Sequence, residues 1–167
     1  MIMKTTIVYT ILILAAALFS CKKEYSVENG NGLPADITAQ INGVAWEAAD
    51  STQFASIAKG AITIAGMDSG GWQLVISLND TVIGTYILNQ QSTSVATFYN
   101  VDSASMYAYA TNLGSDTAQA GGTVNVLTIN RAEKTISGIF SFKAYRPLDG
   151  TQKVFTSGVF YNVPYVE

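Results

Sequence analysis

Asp36-Ile37-Thr38-Ala39-Gln40-Ile41-Asn42-Gly43-Val44-Ala45-Trp46-Glu47 repeats with a period of two on both sides of an Asn-Gly pair. Ile37, Ala39 and Ile41 alternate with Thr38 and Gln40. Past the pair, Val44, Trp46 and Ala48 alternate with Ala45 and Glu47. Successive side chains of a strand point to opposite faces, so each half presents one apolar and one polar face. Asn-Gly tolerates positive φ at both central turn positions, which suits the tight turn of a β-hairpin. The stretch predicts a hairpin with Trp46 in the core. An exposed Trp46 serving as a sugar-stacking platform is the functional alternative.

The same period recurs along the chain. Gln53 to Lys59 is a weaker strand broken by Gly60, and Ala61 to Ala65 places Ile62 and Ile64 on one face. Asp68-Ser69-Gly70-Gly71 has turn chemistry; its spacing fits no EF-hand calcium loop. Trp72, Leu74, Ile76 and Leu78 mark the clearest strand, and Val82 to Leu88 returns after Asn79-Asp80, with Gly84 at a bulge or edge bend. Asn89 to Thr93 is a polar loop, followed by strands over Ala96 to Val101 and Ser105 to Thr111. In the second of these, Tyr107 and Tyr109 fall on one face. Two tyrosines so spaced make a stacking surface for a sugar ring or a protein, or fill a core beside small alanines.

Asn112 to Gly122 reads as a loop. Thr123 to Ile129 changes apolar face between Val126 and Leu127, which calls for a bulge. Ile136, Gly138, Phe140, Phe142 and Ala144 form one inward row, and Arg146-Pro147-Leu148-Asp149-Gly150 turns the chain. Phe155, Ser157, Val159, Tyr161 and Val163 form the last row, which Pro164-Tyr165 ends. No internal repeat and no amphipathic helix emerge. The fold class expected is all-β: an antiparallel β-sandwich, jelly-roll or immunoglobulin-like, of about eight to ten short strands, with a barrel as the alternative.

The amino terminus has another character. Lys4 precedes the apolar run Ile7 to Phe19, which is shorter than the roughly 20 residues a membrane-spanning helix needs. A basic start, a short apolar core and small residues before a break describe a secretory signal. Leu18-Phe19-Ser20-Cys21 then resembles a lipobox, with cleavage before Cys21 and acylation of its thiol. An ordinary signal peptide with an incidental cysteine is the alternative. The expected organisation is a lipoprotein signal peptide over 1–20, lipidated Cys21 with a flexible tether over 21–35, and a single β-sandwich domain over 36–167. Lys22-Lys23-Glu24 partly resembles a surface-export signal of Bacteroidota lipoproteins. The expected location is therefore the outer membrane, surface-exposed or periplasm-facing.

Composition narrows the chemistry. The chain has no histidine and one cysteine. Imidazole-based triads, His-ligated zinc and His general bases are excluded. With Cys21 acylated, no disulfide, thiol nucleophile or thiolate metal site remains. A formal net charge of −3 without a basic patch argues against nucleic acid. No cofactor and no metal site is expected, while calcium held by oxygen ligands stays open.

Three stretches resemble a known family. Ala39 to Trp46, Ile136-Ser137-Gly138-Ile139-Phe140-Ser141-Phe142 and Ser157 to Tyr165 are similar to the opening and closing strands of a Bacteroidota lipoprotein family of unknown function. The resemblance implies a lipid-anchored β-sandwich and supplies no catalytic residues. The expected role is a non-catalytic envelope or surface module that binds a glycan or a protein partner, held to the membrane by its anchor. Tyr107 and Tyr109 are the candidate ligand contacts, and Cys21 the lipidation site. A structural or accessory subunit of an envelope complex is one alternative. A carboxylate-based hydrolase is another, which needs two carboxyl groups roughly 5 to 10 Å apart, drawn from Glu47, Asp50, Asp68, Asp80, Asp102 and Asp116.

Overall fold

The structure is a computed structural model that describes residues 36–103, 107–116 and 118–167. The signal peptide, Cys21 and the tether lie outside the described residues, as do Ser105 and Met106 of one expected strand. Among the described residues eleven strands form one hydrogen-bonded sheet. They are β1 (Asp36–Ile41), β2 (Val44–Glu47), β3 (Phe54–Ala58), β4 (Ala61–Met67), β5 (Trp72–Leu78) and β6 (Gly84–Leu88). Then come β7 (Val95–Asn100), β8 (Tyr109–Ala110), β9 (Gly121–Asn130), β10 (Thr135–Arg146) and β11 (Thr151–Val166).

The sheet folds into two leaves. One runs β2-β1-β11-β10-β9-β6, the other β3-β4-β5-β7-β8. They join at two corners, where Tyr165 and Val166 pair in parallel with Ala55 and Ser56, and where Tyr145 pairs with Ala110. The remaining pairings are antiparallel. Phe98 on β7 meets Trp46 of β2 edge-on at 6.1 Å and Phe155 of β11 edge-on at 5.2 Å. Those contacts bridge the leaves in a sandwich-like all-β fold, with Trp46 in the core as expected.

The Asn-Gly hairpin forms as predicted, with Asn42 and Gly43 both at positive φ. The bulge expected after Val126 is present. Thr128 pairs with Ser137 and Val126 with Gly138, so Leu127 has no partner and points to solvent. The return of Val82 to Leu88 is different. β6 pairs with β9 and not with β5, whose neighbours are β4 and β7. The chain crosses to the other leaf after Leu78, a choice that strand periodicity does not encode. The strand expected over Ser105 to Thr111 contains only Tyr109 and Ala110 among the described residues.

The last strand departs most from its expected row. Ser157 and Tyr161 are exposed, while Phe160 is fully buried. The cause lies in the pairing with β10. Phe142 faces Phe155 and Phe140 faces Gly158, so β11 uses one residue more than β10 there. The same happens between Gly138↔Phe160 and Ile136↔Val163. Ser157 (φ 52°) and Asn162 (φ 48°) sit in the left-handed region within these two bulges. Each extra residue reverses which face follows. The freed groups find partners: the Asn162 N–H donates to Ser137 Oγ at 2.9 Å.

Between the bulges lies a reciprocal interlock. Ser137-Gly138-Ile139-Phe140 and Ser157-Gly158-Val159-Phe160 run antiparallel, with Gly138 opposite Phe160 and Phe140 opposite Gly158. Each ring occupies the space over the opposing glycine. A Cβ on Gly138 would stand 2.3 Å from the Phe160 ring, and one on Gly158 2.3 Å from the Phe140 ring. Burying each phenylalanine contributes about 1.5–3 kcal/mol. A methyl at either glycine would push a ring out of its place. Gly158→Ala is therefore expected to lower unfolding stability by about 1–3 kcal/mol in urea titration. Ser157→Gly, one residue away but facing solvent at positive φ, should leave stability unchanged or raise it.

Candidate functional site

One end of the sandwich collects aromatic rings and cations from four strands. Trp72 opens β5, and its main chain is clamped by the preceding turn. Asp68 Oδ1 accepts from the N–H groups of Gly70 and Trp72 at 2.8 and 2.9 Å, and the Asp68 N–H donates to the Trp72 carbonyl at 3.0 Å. This turn chemistry is what the Asp-Ser-Gly-Gly sequence predicted. The indole is half-buried and stacks on Phe98 at 5.1 Å.

Arg146 closes β10. Its guanidinium forms a two-point pair with the Asp149 carboxylate, through Nε to Oδ1 at 3.0 Å and through the second nitrogen to Oδ2. It lies 4.4 Å from the centre of the Tyr109 ring and donates to the Tyr107 carbonyl at 3.4 Å. Asp149 Oδ1 also accepts from the Thr151 hydroxyl at 2.7 Å, and that hydroxyl is 3.1 Å from the Tyr109 hydroxyl. Tyr109, Thr151, Asp149 and Arg146 thus form a closed circuit that turns the β10–β11 loop into a fixed rim. The Arg146 guanidinium, and then the Thr151 hydroxyl, hold the Asp149 carboxyl far below the usual carboxylate range. The same bond raises Arg146.

Lys153 is the second cation. It lies two residues before Phe155 on β11, ahead of either bulge, and so shares that residue's inward phase; its register partner, Ala144, is fully buried. Its Nζ is 6.0 Å from the Trp72 ring centre and 5.6 Å from that of Tyr109. Cations over aromatic faces are attracted by the ring quadrupole. Among the described residues no carboxylate oxygen forms an ion pair with Lys153.

The two tyrosines singled out in the sequence both border this end, but not side by side. Tyr107 precedes β8 and is 44 % exposed, whereas Tyr109 is 4 % exposed and offers its face to the cations. Arg146 links them, through one's carbonyl and the other's ring. Trp72, Arg146 and Lys153 escaped the sequence reading as site residues. The available signal was Lys153, a charge in phase with Phe155 at an inward position of a strand.

Elsewhere, a shallow groove of about 330 Å³ lies over β1 and β2, lined by Thr38, Gln40, Trp46, Glu47 and Ser157 among others. Trp46 itself is buried. Several carboxylates are tied into turns: Asp80 accepts from the Thr81 N–H, and Asp116 from those of Ala118 and Gln119. Among the described residues no three His, Cys, Asp or Glu side chains gather as a metal site, and no helix is long and apolar enough to cross a membrane.

Residues 34–164 match the DUF6252 family, a domain of unknown function. The chain belongs to that family. The match begins just before β1 and ends within β11, so the DUF6252 domain comprises both leaves and the aromatic–cation end. No curated protein and no solved structure matches the chain.

The Arg146–Asp149 pair carries a pH signature. A carboxyl whose folded-state pKa is depressed contributes stability that is complete above its unfolded pKa and is lost as pH falls toward the folded value. Melting temperatures of the wild type and Asp149→Asn should therefore differ by a constant amount above about pH 5 and converge as pH drops below about 4.

Proposed function

We propose that this DUF6252 chain is a lipid-anchored lipoprotein of the Bacteroidota outer membrane, surface-exposed or periplasm-facing, whose sandwich is a non-catalytic module that binds a glycan. The lipobox at Leu18 to Cys21 and the polar tether after it support the address. The observation that carries the binding role is the aromatic–cation end: exposed Tyr107, half-buried Trp72 and Lys153, with which no carboxylate among the described residues pairs. Rings with accessible faces stack on sugars, and a rim held by a circuit of hydrogen bonds closed by the Arg146–Tyr109 ring contact lowers the ordering cost of binding.

A protein partner within an envelope complex is the second reading. It is favoured by the outer face of the β6–β11 leaf, where Ile87, Leu127, Ile139 and Tyr161 are each about half exposed or more. Of the carboxylates a hydrolase would draw on, Asp68, Asp80 and Asp116 accept main-chain hydrogen bonds within their own turns.

Metabolic labelling with an alkyne fatty acid should mark the wild-type chain, and Cys21→Ser should lose both the label and membrane retention. In a thermal-shift screen of the detergent-purified chain, one glycan class should raise the melting temperature. A ligand at a hundredfold excess over its dissociation constant stabilises by about 2.7 kcal/mol. Tyr107→Ala, at an exposed position, should leave the unliganded melting temperature in place and reduce the shift. No shift with any glycan, together with a stoichiometric protein that co-purifies, would replace this reading by the second.

A further inference from the structure

We infer that the glycan recognised at this end is anionic, and that Lys153 is the residue that reads its charge. The inference deepens the glycan reading above and rests on it.

The two cations at this end differ in what is left to them. Arg146 is already neutralised: Asp149 takes two of the guanidinium N–H donors in a two-point pair, and a third reaches the Tyr107 carbonyl. Its task is to hold the rim. Lys153 has only ring faces beside it among its described contacts, from Trp72 and Tyr109. An ammonium carries three donors and no acceptor. Ring faces attract the charge but accept little hydrogen bonding, so the ammonium keeps donors for another group.

Its position is also unusual for a lysine. β11 places it in the inward phase with Phe155, and it is partly buried. A charge at an inward strand position costs solvation unless a partner repays it. Two other lysines are placed differently: Lys134 pairs with Glu167, and Lys143, in the outward phase of β10, donates to the Ala118 carbonyl. The half-buried Trp72 ring stands 6.0 Å from the same ammonium. Together they present an aromatic surface and a positive charge beside each other, one suited to a sugar ring and the other to an acidic substituent. The ligand class is a saccharide that bears a carboxylate or a sulfate; both offer oxygens that accept from an ammonium.

The test uses the full chain, purified in mild detergent, in calorimetric titrations against paired oligosaccharides. Uronic-acid oligomers are compared with their methyl esters, and sulfated oligomers with their desulfated forms. Which pair discriminates tells carboxylate from sulfate. The expected result is binding of one anionic member about tenfold or more tighter than its neutral counterpart, weakening as salt rises. Lys153→Gln should erase the difference and Lys153→Arg should keep it, with unchanged near-ultraviolet circular dichroism in both. Lys143→Gln, the same charge change on the outer face, should leave affinity within about twofold. Equal affinity for charged and neutral members, or discrimination that survives Lys153→Gln, would overturn the inference while leaving the glycan reading in place. Binding of no oligosaccharide at all would overturn both.

Discussion

The interlock of Gly138 with Phe160 and of Phe140 with Gly158 sets the geometry on which the rest depends. β10 and β11 are the two longest strands and share the most extensive pairing in the molecule. Each phenylalanine is placed where the opposing strand has no Cβ, so the two strands fit in one register only. A slip by one residue would set a ring against a side chain and turn the row of buried groups outward. From this seam the first leaf grows on both sides, through β1 and β2 on one edge and β9 and β6 on the other. The far ends of the same two strands supply the corners to the second leaf, at Tyr145 and at Tyr165. A local steric fit between two glycines and two rings thus governs how both leaves meet.

The aromatic–cation end is a consequence of that seam. β10 delivers Arg146 and β11 delivers Lys153 on either side of one tight turn, so both cations arrive beside Tyr109. The turn itself is stiffened by Asp149, whose oxygens serve Arg146 and Thr151 at once. An exposed ion pair alone stabilises little, because water screens it and two side chains must be ordered. Here the pair is one link of a circuit through Thr151 and Tyr109, and its effect is to fix the shape of the rim. The division of labour between Arg146, paired with Asp149, and Lys153, which has no carboxylate partner among the described residues, follows from the placement of one aspartate.

Much of the fold was legible in residue order. Strands whose apolar residues repeat every second position were read nearly to their ends, as in Trp72 to Leu78, and the Asn42-Gly43 turn announced itself by its chemistry. Even the bulge at Leu127 was visible, because an apolar residue fell on the wrong face for its neighbours. The bulges of β11 were not, since Ser157 and Tyr161 are acceptable on either face and the smooth alternation hid two extra residues. The crossing of the chain between leaves before β6 was equally hidden: pairing partners are chosen by packing of distant strands, not by local period. Of the site, the tyrosines were noticed and the cations were not. Tyr107 and Tyr109 stood out as a repeated residue type, whereas Arg146 and Lys153 read as ordinary polar positions until the turn brought them to one ring.

By itself, the amino-acid sequence determined the all-β class, the position of the first hairpin and the lack of imidazole side chains in this chain. It did so because side-chain alternation, turn propensity and composition are local properties, each fixed within a few residues. Only the tertiary structure decided that Phe160 is core and Tyr161 surface, that Tyr109 is buried while Tyr107 is not, and that Lys153 meets Trp72. The first depends on the bulges at Ser157 and Asn162, which are settled by the fit of rings over glycines on a partner strand; the other two depend on which strands the folded sheet sets side by side. A contact between residues 72 and 153 has no signature in either segment alone, because it exists only once two leaves close on each other.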